Sequence, residues 1–116
     1  MAITDFQNDG LFQPERIAAR LLTTRDEIAR TVGLGRDAVS RRERLRSART
    51  QRRLREMVDI VNLMAPRLGG AAIAYAWYRA EPLDGFDGMT AMDLVQDGHA
   101  DWVRDWIASI DGGVFA

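Results

Sequence analysis

Apolar positions along this chain recur at intervals of three and four residues, the period of a helix with one face turned to a core. Ile17, Ala18, Leu21 and Leu22 follow that spacing behind Pro14, whose missing N–H is harmless at the first helical position. Thr24 and Glu27 form a Thr-x-x-Glu capping box, which predicts a second helix over about residues 25–32. Gly33-Leu34-Gly35 breaks it, and a third helix is expected over about 36–46. Leu54, Met57, Val58, Val61 and Met64 make one stripe on a longer helix, about 50–64, interrupted by Pro66 and Gly69-Gly70. A short apolar helix over 71–78 carries Ile73, Tyr75, Trp77 and Tyr78.

Pro82-Leu83-Asp84-Gly85 and Asp87-Gly88 are turn chemistry. Thr90 and Asp93 can cap a helix over 91–96, which Asp97-Gly98 ends. The last helix, about 100–111, places Trp102, Val103, Trp106, Ile107 and Ile110 on one face. Asp101, Arg104 and Asp105 lie on the other, and Gly112 suits the C-cap. Residues 1–13 are polar and aperiodic and read as a frayed arm. Nothing alternates with period two, so the expected fold is all-α, with no strand and no internal repeat.

Length adds that 116 residues make one compact domain, or two very small ones sharing a core. No apolar run approaches a bilayer span, and Met1 to Gly10 has neither the basic nor the apolar part of a signal peptide. The absence of cysteine excludes disulfides and thiolate metal sites and fits a cytoplasmic protein. Every basic side chain is arginine. Codon bias in a GC-rich genome is the first explanation, and selection for bidentate contacts to phosphate or carboxylate the second.

Charge divides the chain. Between residues 16 and 55, 13 arginines stand against four acids, a net of +9. From residue 56 onward, three arginines face ten acids, a net of −7. Such asymmetry suits different partners for the two halves, nucleic acid for the basic one.

Read from Arg25, the basic half resembles a helix-turn-helix. Ala29 at the fifth position lets two helices approach, Gly33 at the ninth can take the left-handed turn, and Val39 at the fifteenth packs between them. In such a motif the second helix enters the major groove by its N-terminal end. Here that end offers Arg36 and Ser40, with Arg41 and Arg44 one turn on, as the DNA-binding candidates. Arg49, Arg52, Arg53 and Arg55 extend the basic surface. Arg42 stands where such motifs often carry a larger apolar residue. The competing reading is a helical hairpin with a solvated arginine face.

The acidic half carries a longer signature. Trp77-Tyr78-Arg79 closes a short helix before Glu81-Pro82, and Asp87-Gly88-Met89-Thr90 leads into a helix bearing Leu94 and Val95. Asp97-Gly98 and an amphipathic helix follow, and the sequence ends in Ile110-Asp111-Gly112-Gly113-Val114-Phe115-Ala116. In this order, the segment from about Met57 resembles the toxin-binding domain of Xre/MbcA/ParS antitoxins. It departs from that pattern at Glu81 and at Ala91, where Pro is common.

The expected organisation is a flexible arm (1–13), a helix-turn-helix region (14–48) and, as the resemblance implies, a toxin-binding helical domain (49–116). The resemblance also implies a cognate RES-domain toxin that consumes NAD or uses it to ADP-ribosylate a target. The antitoxin blocks that toxin's NAD pocket, and many members also repress their own operon. The toxin-binding candidates are Arg79, Trp102, Gly112, Gly113, Val114, Phe115 and Ala116. A stand-alone helix-turn-helix regulator whose acidic half only dimerises is the alternative. Self-association is expected in either case.

Trp106 and Trp77 read as core, and Trp102, near the helix start, as core or as an interface anchor. Phe115 either tucks back onto its own domain or enters a pocket on the partner; the resemblance favours the second. His99 stands alone and reads as a surface polar residue, with no second His or any Cys to complete a zinc site. No metal, cofactor or catalytic group is expected. The acids fall in turns, caps and a solvated helix face, and Gly33-Leu34-Gly35 lacks the strand and third glycine of a phosphate loop.

Overall fold

A computed structural model describes residues 6–8, 10–35 and 41–112. Among them the fold is all-α: seven helices and one minimal hairpin. The helices are α1 (Pro14–Leu21), α2 (Arg25–Thr31), α3 (Arg42–Leu45), α4 (Ala48–Leu68), α5 (Ala71–Ala80), α6 (Ala91–Gln96) and α7 (Ala100–Gly112). The hairpin pairs β1 (Gln7–Asn8) with β2 (Leu11–Phe12), antiparallel, in the register Gln7 to Phe12 and Asn8 to Leu11.

The hairpin corrects the expectation of a frayed arm with no strand. Phe6 and Phe12 are each only 1% exposed and belong to the core. Gln51 of α4 holds β2 in place. Its Oε1 accepts from the Phe12 amide at 2.8 Å, and its Nε2 donates to the Phe12 carbonyl at 3.2 Å and to the Leu45 carbonyl at 2.8 Å. The Arg55 guanidinium lies 5.4 Å over the Phe12 ring.

Local chemistry sets most helix ends. Pro14 opens α1 as expected, but Leu22 is its C-cap, left-handed at φ +59 and 82% exposed. Leu22 therefore leaves the apolar stripe on which its spacing placed it. Ser47 caps α4 by accepting from the Thr50 amide, so the helix starts before residue 50. It also passes through Pro66 to Leu68. Proline removes one hydrogen bond, and in the last turn of a helix anchored by Leu54, Met57, Val58, Val61 and Met64 that loss does not end it. Gly69, at φ +96, supplies the left-handed cap, and α4 and α5 meet at 113°. Among the described residues no single helix is long and apolar enough to cross a membrane.

Thr90 and Asp93 form both halves of a capping box on α6. The box expected on α2 is only half made. Thr24 Oγ1 accepts from the Glu27 amide at 3.2 Å, while the Glu27 carboxylate turns to arginines.

One cluster of buried side chains runs through both halves. It joins Phe6, Phe12, Ile17 and Ile28 to Leu54, Ile60, Tyr78, Leu94, Val103 and Ile107. Residues 14–48 and 49–116 therefore do not form separate cores. Tyr78 is buried in that cluster, and its hydroxyl has no hydrogen-bond partner among the described residues. Burial pushes its pKa far above the usual phenol range. A buried hydroxyl without a partner is a net cost. Tyr78→Phe is therefore expected to leave stability unchanged or raise it by about 1 kcal/mol, read as an equal or higher Tm. A clear drop in Tm would mean that the hydroxyl is satisfied.

Candidate interaction surfaces

The basic surface begins at the turn after α2. Ala29 is fully buried, and Gly33 is left-handed at φ +75, with its amide on the Arg30 carbonyl and the Leu34 amide on the Ala29 carbonyl. A Cβ at Gly33 would stand 3.3 Å from Gln96 Cγ, so both backbone conformation and space favour glycine. Of the DNA-binding candidates, Arg41 and Arg44 are exposed. Arg36 and Ser40 lie outside the described residues, as does Val39. Of the span expected as a helix, 36–46, residues 36–40 lie outside the described residues and α3 covers 42–45. Beyond it, Arg46, Arg49, Arg52 and Arg55 are exposed, and the first turn of α4 holds no acid.

The second feature is a seam between the halves. Arg30, one turn along α2, and Arg79, at the end of α5, both donate to Glu27. The hydrogen bond from Arg30, helped by the charge of Arg79, holds the Glu27 carboxyl below its ordinary value. That contribution is present at neutral pH and is lost as pH falls through the lowered value. Arg79 also lies 5.2 Å over the Tyr75 ring, and the Tyr75 hydroxyl meets Thr31 Oγ1 at 2.8 Å inside the core. Gln96 of α6 closes the end of α2, donating to the carbonyls of Thr31 at 2.8 Å and Arg30 at 3.3 Å. Arg53 in turn donates to the Gln96 carbonyl. An open cleft of about 430 Å³ lies along this seam, lined by Arg30, Arg79, Ala76 and Met92 among others. Arg79, a toxin-binding candidate, is thus engaged within the chain, with 39% of its side chain exposed.

The third feature is the outer face of α7. Val103 and Ile107 point into the core. Trp102, Trp106 and Ile110, each four residues on from the last, form a neighbouring stripe that is only partly covered. Trp106 is half-buried and stacks on Trp77, with ring centroids 6.2 Å apart. Trp102 is 45% exposed and Ile110 38%. Trp102 lies parallel to the His99 ring, 3.6 Å between centroids, and 6.3 Å from Phe86. His99 is therefore half of an aromatic stack and not an isolated polar group. Trp106 and Trp77, expected in the core, are only partly buried and pack against its edge, and Trp102 is the exposed one.

Of the toxin-binding candidates, the three among the described residues stand on different elements or at different ends of one. Trp102 starts α7 and Gly112 ends it, about 15 Å away at the helical rise. Arg79 sits beside α2. Gly113, Val114, Phe115 and Ala116 lie outside the described residues. Among the described residues no group of His, Cys, Asp and Glu could hold a metal. Comparison with protein-family models, curated proteins and solved structures finds no match for this chain.

Proposed function

We propose that this chain is a cytoplasmic antitoxin that binds and inhibits a RES-domain, NAD-consuming or ADP-ribosylating enzyme and also contacts operator DNA. The observation that carries the partner-binding part is the Trp102, Trp106 and Ile110 stripe. It leaves large apolar side chains in water along the helix that leads to Gly112. Contiguous apolar surface of this kind marks a docking face, and tryptophan is enriched among binding anchors. The likeness of residues 57–116 to Xre/MbcA/ParS antitoxins names the class of partner. Co-expression with a RES-domain enzyme encoded beside this chain tests it: growth and cellular NAD are expected to be restored.

The DNA part rests on the buried Ala29, the left-handed Gly33 and the exposed arginines that follow. These are the features a helix-turn-helix needs at its turn. Binding to promoter duplex should fall steeply with salt, because each phosphate contact releases a counterion. Arg41→Ala with Arg44→Ala should flatten the slope of log K against log salt by about two. Adding Arg36→Ala should abolish binding. Titration of labelled duplex at two salt concentrations measures this. Undetectable binding by the chain and by its complex with the enzyme would remove the DNA role and leave neutralisation standing. A stand-alone regulator gains support if the duplex is bound and the enzyme is not.

A further inference from the structure

The face around Trp102 carries more than apolar area. The Trp102 ring lies flat on His99, 3.6 Å between centroids, with Phe86 6.3 Å away, and it stays 45% exposed, so it is a braced platform with surface left open. Asp101 precedes it and Asp105 follows it by three residues on the same helix, both exposed. Neither has an ion-pair partner among the described residues. Asp97 and Asp87 add exposed negative charge in the adjoining turns. At the helical turn Asp105 follows Trp102 by about 300° and so flanks it, and Asp101 is its neighbour in sequence, which puts both on the border between the polar and the aromatic face of α7. A part-exposed aromatic ring with carboxylates without an ion-pair partner on the flank of its helix is the complement of a guanidinium: the ring takes it by stacking and the carboxylates by hydrogen bonds.

The same chain carries the matching group. Arg49 and Arg52, one turn apart at the start of α4, are exposed, and neither has an ion-pair partner among the described residues. The first turn of α4 contains no acid, and the segment around it has a net charge of +9 against −7 for the half that bears the platform. We propose that the Trp102 platform docks the arginine-bearing start of α4 from a second copy of this chain. The contact is heterologous. Each copy leaves one platform and one arginine pair open, so assembly continues head to tail until the ends run out or a ring closes. The inference goes beyond the antitoxin reading and does not depend on it, although the two use one face: a second copy on Trp102 and an enzyme on the same stripe compete for it.

Sedimentation velocity of the full chain alone, without enzyme or DNA, tests it. At about 0.05 M salt the weight-average mass should rise with protein concentration, and at about 0.5 M, where screening shortens the reach of charge, it should fall to the monomer. Asp101→Asn with Asp105→Asn should remain monomeric at low salt, and so should Arg49→Gln with Arg52→Gln. An equimolar mixture of the two should stop at a one-to-one dimer, since each retains one intact face. Trp102→Ala should weaken association at least tenfold. The exposed positions keep folding out of the result, which the helical circular-dichroism signal checks. A monomeric wild type at low salt, assembly by either double variant alone, or association indifferent to salt would overturn the proposal. A failure here leaves enzyme neutralisation untouched, and a failure to neutralise leaves these masses untouched.

Discussion

Phe12→Ala is expected to destabilise the protein by about 3–5 kcal/mol, the usual cost of emptying a buried aromatic site. Phe12 is 1% exposed, sits in the same core cluster as Phe6, Ile17 and Leu54, and carries Arg55 over its ring. Its backbone is clasped on both sides by Gln51, so the strand cannot slide to refill the space without losing those bonds. A loss of that size is a large fraction of the stability of a small domain. Urea unfolding followed at 222 nm measures it. A change below about 0.5 kcal/mol, the ordinary range of surface substitutions, would mean that residues 6–12 are not part of the core.

That segment also shows where a sequence stops being informative. The helices were legible because their signals are local. Thr24, Thr90, Pro14 and the stripe from Leu54 to Met64 all act within one or two turns. The hairpin was missed because paired strands of two residues are too short to show an alternation. Its signal was the Asp9-Gly10 pair, the dipeptide favoured in two-residue hairpin loops, and Gly10 is left-handed at φ +77. Leu22 and Pro66 misled for a related reason. Spacing and proline are local rules, and tertiary packing overrode both.

The seam was illegible because its partners are far apart in the chain. A capping box at Thr24 is a fair reading until Arg79, 52 residues away, competes for the Glu27 carboxylate. Nothing near Gln96 announces that its amide closes α2. Of the two readings offered for Trp102, core or interface anchor, its 45% exposure removes the first, since a helix start is harder to bury than its middle. The stack of His99 on Trp102 was not foreseen, although three residues on a helix entry place the rings side by side.

Truncation after Gly112 is expected to weaken neutralisation by about 10- to 100-fold while leaving the fold intact. The removed residues, Gly113 to Ala116, include Val114 and Phe115. Burial of one phenylalanine against a partner contributes about 1.5–3 kcal/mol, and each 1.4 kcal/mol is about a factor of ten in affinity. The core extends only to Ile107 among the described residues, so the Tm should barely move. The proposed DNA binding, assigned to the opposite half, should be unchanged. Equal protection by the truncated chain would shift the inhibitory contact to the Trp102, Trp106 and Ile110 stripe alone.

The most direct measurement is NAD turnover by a purified RES-domain enzyme, the proposed partner, with the chain added in increasing amounts. Turnover is expected to fall in proportion to added chain and to stop near the stoichiometry of the complex, with the truncated form requiring a large excess. Unchanged NAD consumption at a saturating excess of the full chain would contradict the antitoxin account.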